Sequence, residues 1–219
     1  LSRPARAVCA DNARRVFPTR PPDDRTIPYG EGAERLTADG EIKKMKRITL
    51  NVNGVDRWIV AEKESSLADV LREQMLLTGC KVCCEDGQCG SCTVVVDGKP
   101  VRACTQSMAK VPEHAKIVTI EGIGTPDNLH PLQIAWMVHG SAQCGICTPG
   151  FIMSAKVLLE QNKAPSREQI RAWFNRNRNV CRCTGYKPLV DAVMDAAAVL
   201  RGELTVAELM AKTAPKTDG

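Results

Sequence analysis

Apolar residues alternate with polar ones from Lys46 onward and shift to helical spacing beyond residue 130, and this change divides the chain. Ile48, Leu50 and Val52 alternate, Asn53 and Gly54 supply a type I′ turn, and Trp58 and Val60 alternate on the return, which predicts a β-hairpin. Ser66 is placed to cap a helix carrying Leu67, Val70, Leu71 and Gln74 at helical intervals. Thr93–Val96, the Asp97–Gly98 turn and Val101 read as a second hairpin, and residues 117–120 as a last strand. Two hairpin-like units, one helix and a cysteine-rich loop fit a small β-grasp.

The strand pattern stops at a linker marked by Gly122, Gly124, Pro126 and Asn128. Pro131 opens a helix bearing Leu132, Ala135, Trp136 and Val138, closed by Gly140. Thr148 and Pro149 start a second, with Phe151, Ile152, Ala155, Leu158 and Leu159 on its apolar side. Ser166 and Gln169 form a capping box ahead of Ile170, Trp173 and Phe174. Pro188 opens a fourth, carrying Leu189, Val193, Met194, Ala197 and Leu200 and ending at Gly202. The expected fold class is α+β, with an N-terminal β-grasp followed by an all-α four-helix domain. The boundaries expected are a disordered extension over 1–44, the β-grasp over 45–122, a linker over 123–130, the helices over 131–201 and a tail or linker over 202–219.

Residues 1–44 earn the label of extension because Pro4, Pro18, Pro21, Pro22 and Pro28 interrupt a segment with no hydrophobic period. Arg14 and Arg15 have the look of a twin-arginine export signal, but Pro18, Arg20, Asp23 and Asp24 stand where its apolar core belongs. Met45 is therefore the expected start of the folded part. A net charge of +5, with no basic run interleaved with aromatics, reads as a solvated surface and argues against nucleic acid. The apolar stretches fall short of the ~20 residues of a membrane span, which argues against a membrane partner. Only 4% of residues are aromatic, so the small cores need another stiffener, and metal clusters would serve.

The chain has 11 cysteines, and most fall into two groups. Cys84, Cys89, Cys92 and Cys104 form a C-x4-C-x2-C run closed by a later thiol; Cys144 and Cys147 are answered by Cys181 and Cys183. Four thiolates are what a [2Fe–2S] cluster needs, and the first order is the plant-type ferredoxin signature. Four thiolates also suit zinc, but zinc ribbons usually pair two CxxC knuckles, which this run does not. Gly87 and Gly90 let the loop bend so that its N–H groups face the cluster, and Lys81 and Arg102 stand near to balance its charge. Spacing selects Cys84 over Cys83; Cys83 and Cys80 read as small buried fillers, with a ligand swap to Cys83 the alternative. Cys147 precedes a helix start, whose positive end favours thiolate. Cys181 and Cys183 cannot share a helix face, so the chain must curl there, with Gly185 easing the bend. His114, His130 and His139 read as surface or helix-end residues. Arg171, Arg176 and Arg178 read as a basic helix edge, and Cys9 as an incidental thiol. Grouped cysteines without an export signal place the chain in a reducing, cytoplasmic compartment.

With both groups placed, the chain resembles the iron–sulfur portion of the molybdenum hydroxylases, the xanthine oxidase family. The likeness covers residues 46–200 and rests on Glu85-Asp86-Gly87-Gln88-Cys89-Gly90-Ser91-Cys92, Gln143-Cys144-Gly145-Ile146-Cys147-Thr148-Pro149-Gly150 and Cys181-Arg182-Cys183-Thr184-Gly185-Tyr186. Asn128-Leu129-His130-Pro131-Leu132-Gln133 and the run from Tyr186 to Ala197 are particularly similar to the bacterial aldehyde oxidoreductases. The resemblance implies two [2Fe–2S] clusters and a molybdopterin cytosine dinucleotide held in an adjoining large domain or subunit. It further implies that Gln143 and Cys183 lie near the pterin, and that electrons leave to a FAD subunit or an external acceptor. No catalytic residue is expected in this chain. Cys83 departs from the family, which generally has glycine there. The competing readings are a small subunit of a xanthine, carbon monoxide or aromatic thioester oxidoreductase, a free-standing iron–sulfur carrier or sensor, and a zinc-stabilised interaction module.

Overall fold

The structure, a computed structural model, describes residues 34–36 and 42–213. Residues 1–33, with Cys9 and the paired arginines, and the tail from 214 lie outside them. The strands are β1 (Glu34–Leu36), β2 (Ile42–Val52), β3 (Val55–Glu62), β4 (Thr93–Val96), β5 (Lys99–Arg102) and β6 (Lys116–Val118). They form one sheet in the order β1-β2-β6-β4-β5, with β3 also on β2. The β2–β3 and β4–β5 pairs are antiparallel hairpins, while β2 and β6 run parallel. Asn53 and Gly54 both have positive φ (53° and 81°), as a type I′ turn requires.

Two expectations change here. Residues 42–44 are strand, and β1 pairs with them, so the extension is not irregular up to residue 44. The cause lies in strand lengths: β2 has 11 residues and β3 has 8, and the overhang offers ladder groups that β1 takes up. On β3, Ile59 and Ala61 are buried, whereas Trp58 and Val60 are only half-buried. Ile59 stands opposite buried Ile48, and directly opposed residues share a face, so register decides which set turns inward. Trp58 instead lies under the Arg47 guanidinium, 5.7 Å from the ring centroid.

Ser66 caps α1 (Leu67–Asp69) through a capping box with Asp69, and the helix widens at once into a π-turn over Val70–Gln74. Leu67, Val70 and Leu71 are fully buried under the sheet with Ile48, Leu50 and Ile117. The second half holds α2 (Pro131–Val138), α3 (Thr148–Gln161), α4 (Arg167–Arg176) and α5 (Tyr186–Leu200). The last begins two residues ahead of Pro188, which occupies an early helical position where its missing N–H costs nothing. A further helix, α6 (Val206–Ala211), lies in the stretch read as tail; Thr205 and Glu208 form its capping box and Leu209 is fully buried. Phe151 centres the helical core, with Phe174 edge-on at 4.7 Å and Tyr186 at 6.4 Å. Val95 belongs to this core, and Val118, Ile120 and Ile123 pack on it, so sheet and helices share one apolar seam. Among the described residues no helix is long and apolar enough to cross a membrane.

Candidate iron–sulfur centres

Within the loop between α1 and β4, residues 84–92 curl through three residues of positive φ, Glu85 (62°), Gly87 (76°) and Gly90 (64°). The curl brings Cys84, Cys89 and Cys92 round to face Cys104, which a short 3-10 turn after β5 presents. Their sulfurs stand in pairs. The Cys84 and Cys89 thiols are within hydrogen-bonding reach, as are those of Cys92 and Cys104, and Cys83 also reaches Cys89. Backbone donors reinforce each pair: Cys89 N–H donates to Cys84 Sγ (3.4 Å) and Cys104 N–H to Cys92 Sγ (3.5 Å). Burial and the Cys92 sulfur push the Cys104 thiol up to about 11. Burial raises Cys89 as well, but hydrogen bonds from Ser91 and Cys84 outweigh it and leave this thiol below its ordinary value.

The helical set is assembled at helix ends. Cys147 is the N-cap residue of α3, and Cys181 and Cys183 lie in the turn between α4 and α5. Again the sulfurs pair: Cys144 and Cys183 are 3.5 Å apart, and Cys147 meets Cys181. All four line one small cavity, together with Gln143, Thr148 and Gly185. The bend falls at Thr184 (φ 62°); Gly185 has φ −76° and caps α5, so its glycine freedom is not what turns the chain. At Cys147 burial, with the adjacent Cys181, pushes the thiol up to about 12 despite the helix N-terminus. At Cys144 the Ile146 N–H and the Cys183 thiol lower it. Gln143 Nε2 donates to Cys183 O (3.3 Å), which joins the two residues implicated in pterin contact.

This two-by-two arrangement tests the fit of a cluster. A zinc ion draws four ligands to one point. Here the sulfurs stand as Cys84–Cys89, Cys92–Cys104, Cys144–Cys183 and Cys147–Cys181. A [2Fe–2S] core has two irons and needs two sulfurs at each end. Donors stand ready for its negative charge: Arg102 Nε, beside the Gly87 position, and Thr148 Oγ1, in the helical cavity, are buried without a hydrogen-bond partner. The residues fit the group.

Several site residues lie elsewhere than spacing suggested. Cys80 is buried, with its Sγ 3.5 Å from Cys92 O, as a filler should be. Cys83 is exposed, not buried, and lies beside the Cys89 thiol, which with burial and Cys84 raises it. Arg178 is not on the edge of α4 but past its end, at φ 56°, where it reaches Gln88 of the other loop. Arg176 stacks on Trp173, 4.8 Å from the ring centroid. His130 N-caps α2, and His139 at the end of α2 meets Asp195 at 2.8 Å. Two contributors escaped the sequence reading. The Tyr186 hydroxyl accepts from Cys181 N–H (3.0 Å), and Asn179 is buried between the two cysteine sets. Tyr186 had a signal, since it closes the Cys181–Tyr186 motif; Asn179 had none.

Comparison with known proteins matches two overlapping spans of the chain. Residues 60–135 match the family described as "2Fe-2S iron-sulfur cluster binding domain", and residues 119–194 match "[2Fe-2S] binding domain". The first span contains the loop set and the second the helical set. The chain is 61% identical over 154 residues to the aldehyde oxidoreductase of Megalodesulfovibrio gigas, covering 70% of this chain and 17% of that protein. It is 43% identical over 149 residues to the nicotine 6-hydroxylase small subunit of Paenarthrobacter nicotinovorans, covering 68% of this chain and 88% of that one. The crystal structure of the aldehyde oxidoreductase from Desulfovibrio desulfuricans superposes with a TM-score of 0.74 at 55% identity, over 77% of this chain and 21% of that one. The chain thus spans about a fifth of each of these two aldehyde oxidoreductases, and most of the small subunit. With two 2Fe–2S-binding domains in tandem, a ferredoxin-type α+β unit and a helical one, this chain belongs to the electron-transferring iron–sulfur components of the molybdenum hydroxylases of the xanthine oxidase family.

Proposed function

We propose that this chain carries electrons out of a molybdenum-dependent aldehyde oxidoreductase in the cytoplasm. Cys84, Cys89, Cys92 and Cys104 would hold one [2Fe–2S] cluster, and Cys144, Cys147, Cys181 and Cys183 the other. The observation that carries the reading is the gathering of four sulfurs in each set as two pairs, Cys84–Cys89 with Cys92–Cys104 and Cys144–Cys183 with Cys147–Cys181, one pair for each iron. When bound, the clusters supply one-electron carriage for the two electrons released as an aldehyde and water become a carboxylic acid and two protons.

The chain's own residues hold and aim this carriage. The Cys89 and Cys104 amides donate to ligand sulfurs, and Arg102 and Thr148 offer unpaired donors, all of which favour the anionic cluster. Around the helical set the surface is apolar and open: Ile146 is 40% exposed, Val180 48% and Tyr186 41%. A ring of this kind suits burial against a large partner. We therefore place the helical set inward, with Gln143 and Cys183 towards a molybdopterin cytosine dinucleotide in that partner. The loop set then faces outward, to a FAD subunit or an external acceptor. The ferredoxin-type domain would occupy residues 45–122, the linker 123–130 and the four main helices 131–201.

The aldehyde reading follows the 61% identity, and the assembled enzyme tests it. Anaerobic addition of an aldehyde should bleach the visible iron–sulfur absorption of this chain within turnover time, while xanthine, carbon monoxide and nicotine leave it unchanged. Bleaching by one of those three and not by aldehydes would assign a different substrate.

A further inference from the structure

We propose that Asn179 is the positioning residue that fixes the separation of the two cysteine sets, and so the coupling between the clusters they hold. The inference rests on the two-cluster reading above. Three consecutive residues ahead of Cys181 meet three consecutive residues of the ferredoxin loop. The Arg178 guanidinium donates to Gln88 Oε1, Val180 N–H donates to Cys89 O (3.0 Å), and Asn179 Nδ2 donates to Gly90 O (3.3 Å). Val180 adjoins Cys181 in the chain, so the Val180–Cys89 hydrogen bond ties a thiol-bearing residue of one set to the neighbour of a thiol in the other.

Of the three clasp residues, Arg178 and Val180 are exposed, and only Asn179 is buried, at 4%. The Arg178–Gln88 contact joins two exposed side chains, where water competes for both partners. Asn179 supplies what they lack. Its carboxamide nitrogen also approaches Gly150 O on α3 (3.4 Å) and Thr93 Oγ1 at the start of β4 (3.5 Å). One side chain thus joins the loop, the sheet and the helix that Cys147 caps. The backbones around it approach closely enough that Gly90 and Gly150 have no room for a side chain. A Cβ on Gly90 would stand 2.7 Å from Asn179 Nδ2, and one on Gly150 would stand 2.2 Å from Gly90 O. The Asn179 amide donors reach acceptors in both halves of the molecule at once.

Electron exchange and magnetic interaction between two centres both fall steeply with distance, so a residue that fixes the gap leaves a spectroscopic signature. The experiment is electron paramagnetic resonance of the fully reduced, cluster-loaded chain, comparing wild type with Asn179→Ala, Asn179→Asp and Arg178→Ala, with iron and sulfide measured on each sample. Wild type and Arg178→Ala should show two signals that split one another. Asn179→Ala should keep both signals and their iron but lose the mutual splitting. Asn179→Asp keeps the shape and removes the donors, and should lose the splitting as well. Unchanged splitting in both Asn179 variants would overturn the proposal, and so would loss of iron from both sites in both variants, which would make the residue structural only. A wild-type chain without two signals would instead remove the two-cluster reading on which the proposal stands.

Discussion

The two cysteine sets reach the same two-by-two geometry by opposite routes. In the loop set three of the four thiols fall within nine residues, and left-handed turns at Glu85, Gly87 and Gly90 do the folding locally. The helical set draws two pairs from distant parts of the chain and places them at helix ends, so its sulfurs meet only where the α2–α5 core is packed. A local site depends on backbone conformation and a tertiary one on packing. The two should therefore fail under different insults.

Phe151→Ala should separate them most sharply. Phe151 is 1% exposed and touches Phe174, Tyr186 and Trp136, so truncation should cost about 3–5 kcal/mol. Iron analysis should find about half the wild-type content, with the helical centre's signal lost and the loop centre's kept. Equal loss from both centres would mean that the loop set also leans on the helical core. Gly150→Ala comes next, since its Cβ would stand 2.2 Å from Gly90 O and 2.9 Å from Ser91 O. Overpacking of this kind costs about 1–3 kcal/mol, and here it should force the two halves apart, read as a lowered Tm together with weaker interaction between the centres.

The contrast between local and tertiary also explains what was legible beforehand. Hairpins, caps and the C-x4-C-x2-C run are short-range patterns, and the Asn53–Gly54 turn, the Ser66 cap, the Ser166 capping box and the loop curl stand where spacing places them. The inward face of β3 was not legible, because a strand's alternation gives two faces and only its pairing with Ile48 chooses between them. Helix α6 did carry a signal in Thr205 and Glu208, masked by the charges around it. Asn179 touches Gly90 across 89 residues of sequence, and no periodicity reports a polar contact at that range. The bend at Thr184 in place of Gly185 shows the limit of residue type as a guide to left-handed backbone.

Smaller changes should sharpen the comparison. Tyr186→Phe removes the hydroxyl that accepts from Cys181 N–H and leaves that donor unpaired, at a cost of about 1–3 kcal/mol. Redox titration should show a shift in the potential of the helical centre alone; a shift in both would erase the distinction drawn here. The smallest effect concerns pH. Burial and the Lys156 ammonium hold the His130 imidazole below its usual range, and its Nδ1 must stay unprotonated to accept from Leu132 N–H (3.1 Å). The unfolded chain therefore takes up the proton first. The cap's contribution is whole above about pH 6.5 and is lost as pH falls from there towards the lowered folded-state value. Thermal melts should show His130→Asn, which caps without titrating, losing less stability than wild type across that window. Parallel losses would assign the pH dependence to other groups.

The most direct test of the central claim is iron and sulfide analysis of the loaded chain, paired with electron paramagnetic resonance after reduction. Two pairs of sulfurs in each set predict about four iron and about four labile sulfide per chain, with two distinct signals. Stoichiometric zinc, or a single iron–sulfur signal from a fully loaded chain, would contradict it.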